Sequence, residues 1–64
     1  MCEANAYIID KNGNQTLLLE SVDTLVAGEG GLILENIFSE RKVFNGTIKE
    51  LALVSHKIIL EERQ

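Results

Sequence analysis

Two glycine-marked breaks limit most what this chain can become. Asn12-Gly13 and Gly28-Glu29-Gly30-Gly31 each lie between apolar runs. Asn-Gly in that setting is a strong hairpin signal, because both residues tolerate positive φ. A glycine cluster between apolar runs most often marks a turn. Ahead of the first break, Cys2, Ala4, Ala6 and Ile8 alternate with Glu3, Asn5, Tyr7 and Ile9. That two-residue period is the signature of a strand, predicted here from Met1 to Asp10.

The run from Gln15 to Val26 is too long for one simple alternation. Leu17, Leu18 and Leu19 are consecutive, so this piece is expected to be buried on both faces or bulged. Ser21-Val22-Asp23-Thr24 is a candidate break within it. Leu32 to Phe38 is the expected central strand, with Leu32, Leu34, Asn36 and Phe38 on one face and Ile33, Glu35 and Ile37 on the other. Ser39-Glu40-Arg41 connects it to Lys42-Val43-Phe44, and Asn45-Gly46 is a second turn or bulge. Thr47-Ile48-Lys49-Glu50 fits the capping box of a helix. The following Leu51-Ala52-Leu53-Val54 has no helical period, so a strand over Thr47 to Val54 fits better. A turn at Ser55-His56-Lys57, a strand from Ile58 to Leu60 and a frayed Glu61-Glu62-Arg63-Gln64 complete the reading. About six short strands and no long helix predict an all-β fold, a small barrel of five to six strands spanning residues 1–64 as one domain.

So short a chain buries only about 60% of its unfolded surface, which makes for a thin core. Domains of this size usually add a disulfide, a metal or a partner. The single cysteine cannot form an intrachain disulfide, which leaves metal and self-association, and a homodimer is the expectation. No uncharged run approaches the roughly 20 residues of a membrane helix. No signal-like start precedes Cys2, so a cytoplasmic, reducing location is expected. Ten acidic against six basic residues give a net charge of −4, and the basic residues are scattered. That distribution disfavours nucleic acid, whose phosphates call for a basic footprint. The glycine cluster is no phosphate cradle: Ile33 stands where a third glycine would be needed, and no Gly-Lys-Ser/Thr follows.

Little chemistry is left to distribute. Cys2 and His56 are the one nucleophile–imidazole pair, and a catalytic dyad also needs an orienting group and a pocket. A non-enzymatic protein is expected. His56 reads as a solvated turn residue, and Asn36 as a polar group satisfied by backbone. Taken alone, Cys2 reads as a modest hydrophobe at the start of a strand or as a metal ligand. In the second case its thiolate and the nearby backbone nitrogens would form chelate rings. Such a flat set of sulfur and nitrogen donors suits Ni(II) or Cu(II), and soft sulfur also suits Cu(I) and Zn.

Several stretches together resemble the CooT family: Met1-Cys2-Glu3-Ala4, Glu35-Asn36-Ile37-Phe38 with Glu40-Arg41-Lys42-Val43, Ile48-Lys49-Glu50, and Leu53-Val54-Ser55-His56-Lys57-Ile58. The resemblance spans essentially the whole chain. It implies an SH3-like barrel that forms homodimers, with Cys2 as nickel ligand and a metalloenzyme, carbon monoxide dehydrogenase in the founding type, as client. A Met-Cys start and a similar barrel also occur in HypC-type hydrogenase maturation proteins, which carry a longer carboxy-terminal extension. The expectation is a metal-binding accessory protein that holds Ni(II), or another late first-row metal, through Cys2 at a dimer interface. The alternative is a metal-free binding module for RNA or a protein partner, since many relatives of the family carry an RNA-binding label.

Overall fold

A computed structural model describes residues 3–62 of the chain. Those residues form six strands: β1 (Ala4–Ile9), β2 (Gln15–Gly28), β3 (Gly31–Asn36), β4 (Arg41–Phe44), β5 (Gly46–Ala52) and β6 (Lys57–Glu62). They lie in one sheet of order β4-β3-β2-β1-β6-β5. Every neighbouring pair is antiparallel except β1 and β6, which run parallel. The sheet curls in the manner of a barrel, with β5 packing near β3, yet β4 and β5 do not pair. The all-β expectation holds, with the barrel left open between those two edges.

The capping box at Thr47 lost to a strand because β5 can pair along β6, Thr47 opposite Glu61 and Ile48 opposite Leu60. That pairing satisfies the same backbone groups a helix would have, and turns Ile48 and Leu51 toward the side on which Leu60 and Ile58 are buried. A helix starting at Thr47 would have had no periodic apolar face to bury.

β2 is a single bent strand rather than two. Tyr7 pairs with Leu17 and Ala6 with Leu19, so Leu18 is an extra residue in the ladder. This is a β-bulge, and it lets both Leu18 and Leu19 reach the core. A second irregularity falls between Leu19 and Val22, where Ser21 sits at φ 56°. The expected break at Ser21-Val22-Asp23-Thr24 is therefore a bend, because Val22 still pairs with both Ala4 and Asn36. Bending allows the first half of β2 to pair with β1 and the second half with β3.

The alternation read in the first strand is the one that packs. Ala6 is fully buried, and Ala4 and Ile8 pack against a core of Leu19, Val22, Leu32, Leu34, Phe44, Ile58 and Leu60. Two glycines make this packing feasible. Gly31 has φ 128°, and a Cβ there would collide with the Phe44 carbonyl oxygen. A Cβ on Gly46 would collide with the Glu61 carbonyl oxygen and the Phe44 ring. Asn45-Gly46 is thus a tight crossing from β4 to β5, closed by the absence of a side chain.

Several boundaries differ from the sequence reading. Phe38 leaves the central strand, which ends at Asn36, because the Asn36 side chain captures the turn that follows. β4 begins at Arg41, which pairs with Glu35. Glu61 and Glu62 are not frayed: they pair with Thr47 and Gly46, so β6 extends two residues past Leu60.

Candidate functional site

The strand register brings four chain segments to one end of the barrel. Ala4 is opposite Val22, Val22 is opposite Asn36, and Asn5 lies beside Lys57. The start of β1, the Ser21 bend, the β3–β4 turn and the β5–β6 turn therefore share this end. A run of hydrogen bonds laces them together. The Ile37 amide donates to the Ser21 carbonyl at 3.0 Å. The Ser21 amide donates to Asn5 Oδ1 at 3.0 Å. The Asn5 amide in turn donates to the His56 carbonyl at 2.9 Å. Ser21, Ser39 and His56 are also the non-glycine residues with positive φ among those described, and all three lie here. Such backbone is held only where the surroundings fix it.

Asn36 organises the β3–β4 turn. It is 2% exposed, and its Oδ1 accepts from the Phe38 amide at 3.0 Å and the Glu40 amide at 2.9 Å. Its Nδ2 donates to Glu40 Oε1 at 2.7 Å. Backbone amides do satisfy it, as its place on an apolar face requires, and the Glu40 carboxylate adds a third bond that its spacing did not announce.

Between the Ser21 bend, the start of β1 and the β5–β6 turn lies an open, polar groove of about 510 Å³ lined by Glu3, Asn5, Glu20, Ser21, Ser55 and His56. His56 is exposed on the β5–β6 turn, as its Ser-His-Lys setting predicted, and its amide donates to the Leu53 carbonyl at 3.3 Å. Cys2, the predicted metal ligand, lies outside the described residues; its covalent neighbour Glu3 lines the groove. Among the described residues, no group of three or more His, Cys, Asp or Glu side chains could hold a metal ion.

Sequence reasoning missed the apolar surface that flanks this groove. Ile37 and Phe38 are 40% and 65% exposed on one turn, while Leu53 and Val54 are 79% and 97% exposed on the other. The sequence places Leu53 and Val54 in a strand, where alternation would bury one of them. The strand instead stops at Ala52, and both face water. The signal available was the run Leu51-Ala52-Leu53-Val54 itself, four apolar residues leading straight into a polar turn.

No helix among the described residues is long and apolar enough to cross a membrane. Comparison with proteins of curated function returns no match. A solved structure does match: that of a CooT candidate from Carboxydothermus hydrogenoformans, 49% identical to this chain, with a TM-score of 0.92. The match covers 98% of this chain and all of that one. The family model described as CO dehydrogenase accessory protein CooT fits residues 1–61, from the Met1-Cys2 start into β6. On that fit, and on an all-strand fold shared at nearly half identity, the chain belongs to the CooT family, whose members are accessory proteins of CO dehydrogenase rather than catalysts.

Proposed function

We propose that this protein is a cytoplasmic nickel-handling accessory factor that takes up Ni(II) through the Cys2 thiolate at a homodimer interface and serves a metalloenzyme client. The observation that carries the reading is the family match, which begins at residue 1 and so includes Cys2. The donor chemistry agrees with it. The described residues offer no complete ligand group, whereas one Cys2 end supplies a thiolate and adjacent backbone nitrogens. Ni(II) with such ligands favours four donors in a plane. One chain falls short of that number and two reach it.

Nickel is cargo here, and the chain's part is to present a thiolate. The unperturbed thiol pKa is about 8.5, and metal binding takes the thiolate form. Uptake therefore releases protons and weakens as pH falls.

Calorimetric nickel titration of the wild type and Cys2→Ser tests the reading. Cys2→Ser should weaken binding at least 100-fold with an unchanged far-UV spectrum, and His56→Ala should change it little. Wild-type nickel affinity in Cys2→Ser would end this assignment. Sub-micromolar RNA affinity at physiological salt would favour the metal-free module instead, against the acidic balance of the chain.

A further inference from the structure

The bend in β2 leaves Ser21 without a partner in either ladder, and Asn5 takes up its amide. Ala4 pairs with Val22 and Ala6 with Leu19, so between those pairs β1 has one residue, Asn5, where β2 has two, Glu20 and Ser21. One backbone position cannot complete a ladder with two. Ser21 adopts φ 56°, and its amide donates to the Asn5 side chain, at Oδ1. The Ser21 carbonyl accepts in turn from the Ile37 amide. On the other flank the Asn5 amide donates to the His56 carbonyl at 2.9 Å, where the parallel pairing of β1 with β6 begins. Side chain and main chain of this one residue therefore fasten the start of β1 on both sides, to the β2 bend and to the β5–β6 turn.

We infer that Asn5 is a positioning residue for metal uptake: it anchors the segment of chain from which Cys2, three residues earlier, presents its thiolate. The first residues of a domain are poorly ordered unless something ties them down. A ligand on an untied end has to be ordered afresh each time metal binds, and one backbone residue to be ordered weakens affinity roughly tenfold. An anchor three residues away keeps Cys2 within about 10 Å of Asn5, the reach of the extended chain. The residue type suits the task. Glu3 and Glu20 line the same groove, and a neutral amide accepts the Ser21 bond without adding a third carboxylate. Asn5 is exposed, so its bonds add little to global stability, and anchoring is separable from folding. The inference rests on the Cys2 reading above for what the anchor serves; where the anchor lies follows from β1, β2 and the β5–β6 turn.

Nickel titration and thermal unfolding of three variants of the full chain, with Cys2 intact, test it. Asn5→Leu removes the acceptor at similar size. It should weaken nickel binding roughly tenfold, as the loss of a group supporting a metal ligand does, while lowering Tm by no more than about 8 °C. Asn5→Asp keeps the acceptor and should bind nickel as the wild type does. Gly46→Ala, at the far end of β5, lowers stability by overpacking and should leave nickel affinity unchanged. A readout without metal accompanies these: iodoacetamide should alkylate the Cys2 thiol faster in Asn5→Leu than in the wild type, and no faster in Asn5→Asp. Wild-type nickel affinity in Asn5→Leu overturns the inference. So does a loss in Asn5→Asp or Gly46→Ala equal to that in Asn5→Leu, which would make the effect one of general destabilisation. A wild type that binds no nickel removes the nickel reading by itself, and the anchor is then judged on alkylation: a faster rate in Asn5→Leu alone supports it, and equal rates overturn it.

Discussion

Exchanging Asn36 for Asp changes one atom group and removes one donor, which makes it a sharp probe of the turn beside the groove. The side chain is buried and makes three hydrogen bonds. Aspartate keeps both acceptor bonds, from the Phe38 and Glu40 amides. It loses the Nδ2–H donated to Glu40 Oε1 at 2.7 Å and places a second carboxylate against the first. A hydrogen bond to a charged group contributes about 1.5–3 kcal/mol. Because Glu40 is exposed, solvent screening holds the combined loss near the low end, about 2 kcal/mol. In a domain of this size that is a fall in Tm of roughly 8–16 °C. Urea and thermal unfolding, followed by far-UV circular dichroism at one fixed protein concentration, measure it. Adding Glu40→Gln to the same variant restores a donor facing the new carboxylate and should recover at least half of the loss. A single variant within about 0.5 kcal/mol of wild type would refute the account, as would a double variant no more stable than the single.

Gly46→Ala should cost about 1–3 kcal/mol, an overpacking penalty, since its Cβ meets the Glu61 carbonyl and the Phe44 ring. Gly30→Ala, with open space around it, should stay within about 0.5 kcal/mol of wild type in the same unfolding assay. The Asp10 carboxyl is held below the ordinary 3.8 by the Asn14 backbone amide first, with the Asn12 and Gly13 amides adding to it. Its contribution to the β1–β2 hairpin is therefore complete above the ordinary value and is lost as pH falls through the depressed one. In an NMR titration the Asn12 and Asn14 amide shifts should move with a midpoint below 3.8, and Asp10→Asn should abolish that movement.

How much of this was legible in the sequence depends on the range of the interaction concerned. The hairpin at Asn12-Gly13 and the inward set Ala4, Ala6 and Ile8 follow from local rules, and both are where those rules put them. The continuity of β2 through Ser21 was not legible. The bend is kept in the sheet by Val22 pairing on both sides, with Ala4 and with Asn36, and such pairing is non-local. Phe38 was misplaced for a related reason: alternation predicts a core residue, but the Asn36 side chain turns the chain two residues earlier. At the candidate site, the exposed turn at His56 could be read from Ser-His-Lys. Its closeness to the start of β1 could not, because it depends on the parallel pairing of β1 with β6.

The two edges of the open barrel are guarded differently, and the difference bears on why the apolar surface at one of them persists. β4 is only four residues long and carries Arg41 and Lys42, with Arg41 Nη2 3.6 Å from Glu35 Oε1. Short, charged edges resist pairing with other chains. β5 has comparable protection only in its first half. There Lys49 is the extra residue of a bulge, with Nζ 3.6 Å from Glu61 Oε2, and Glu50 follows. Beyond Glu50 the guard stops, and Leu51, Leu53 and Val54 are exposed with no charge among them. Burial within the chain does not explain these residues, since they face water. At about 25 cal/mol per Å² they supply an appreciable driving force once a partner covers them. The charged half of β5 keeps another strand from zipping along its whole length, while the half beyond Glu50 stays apolar and open.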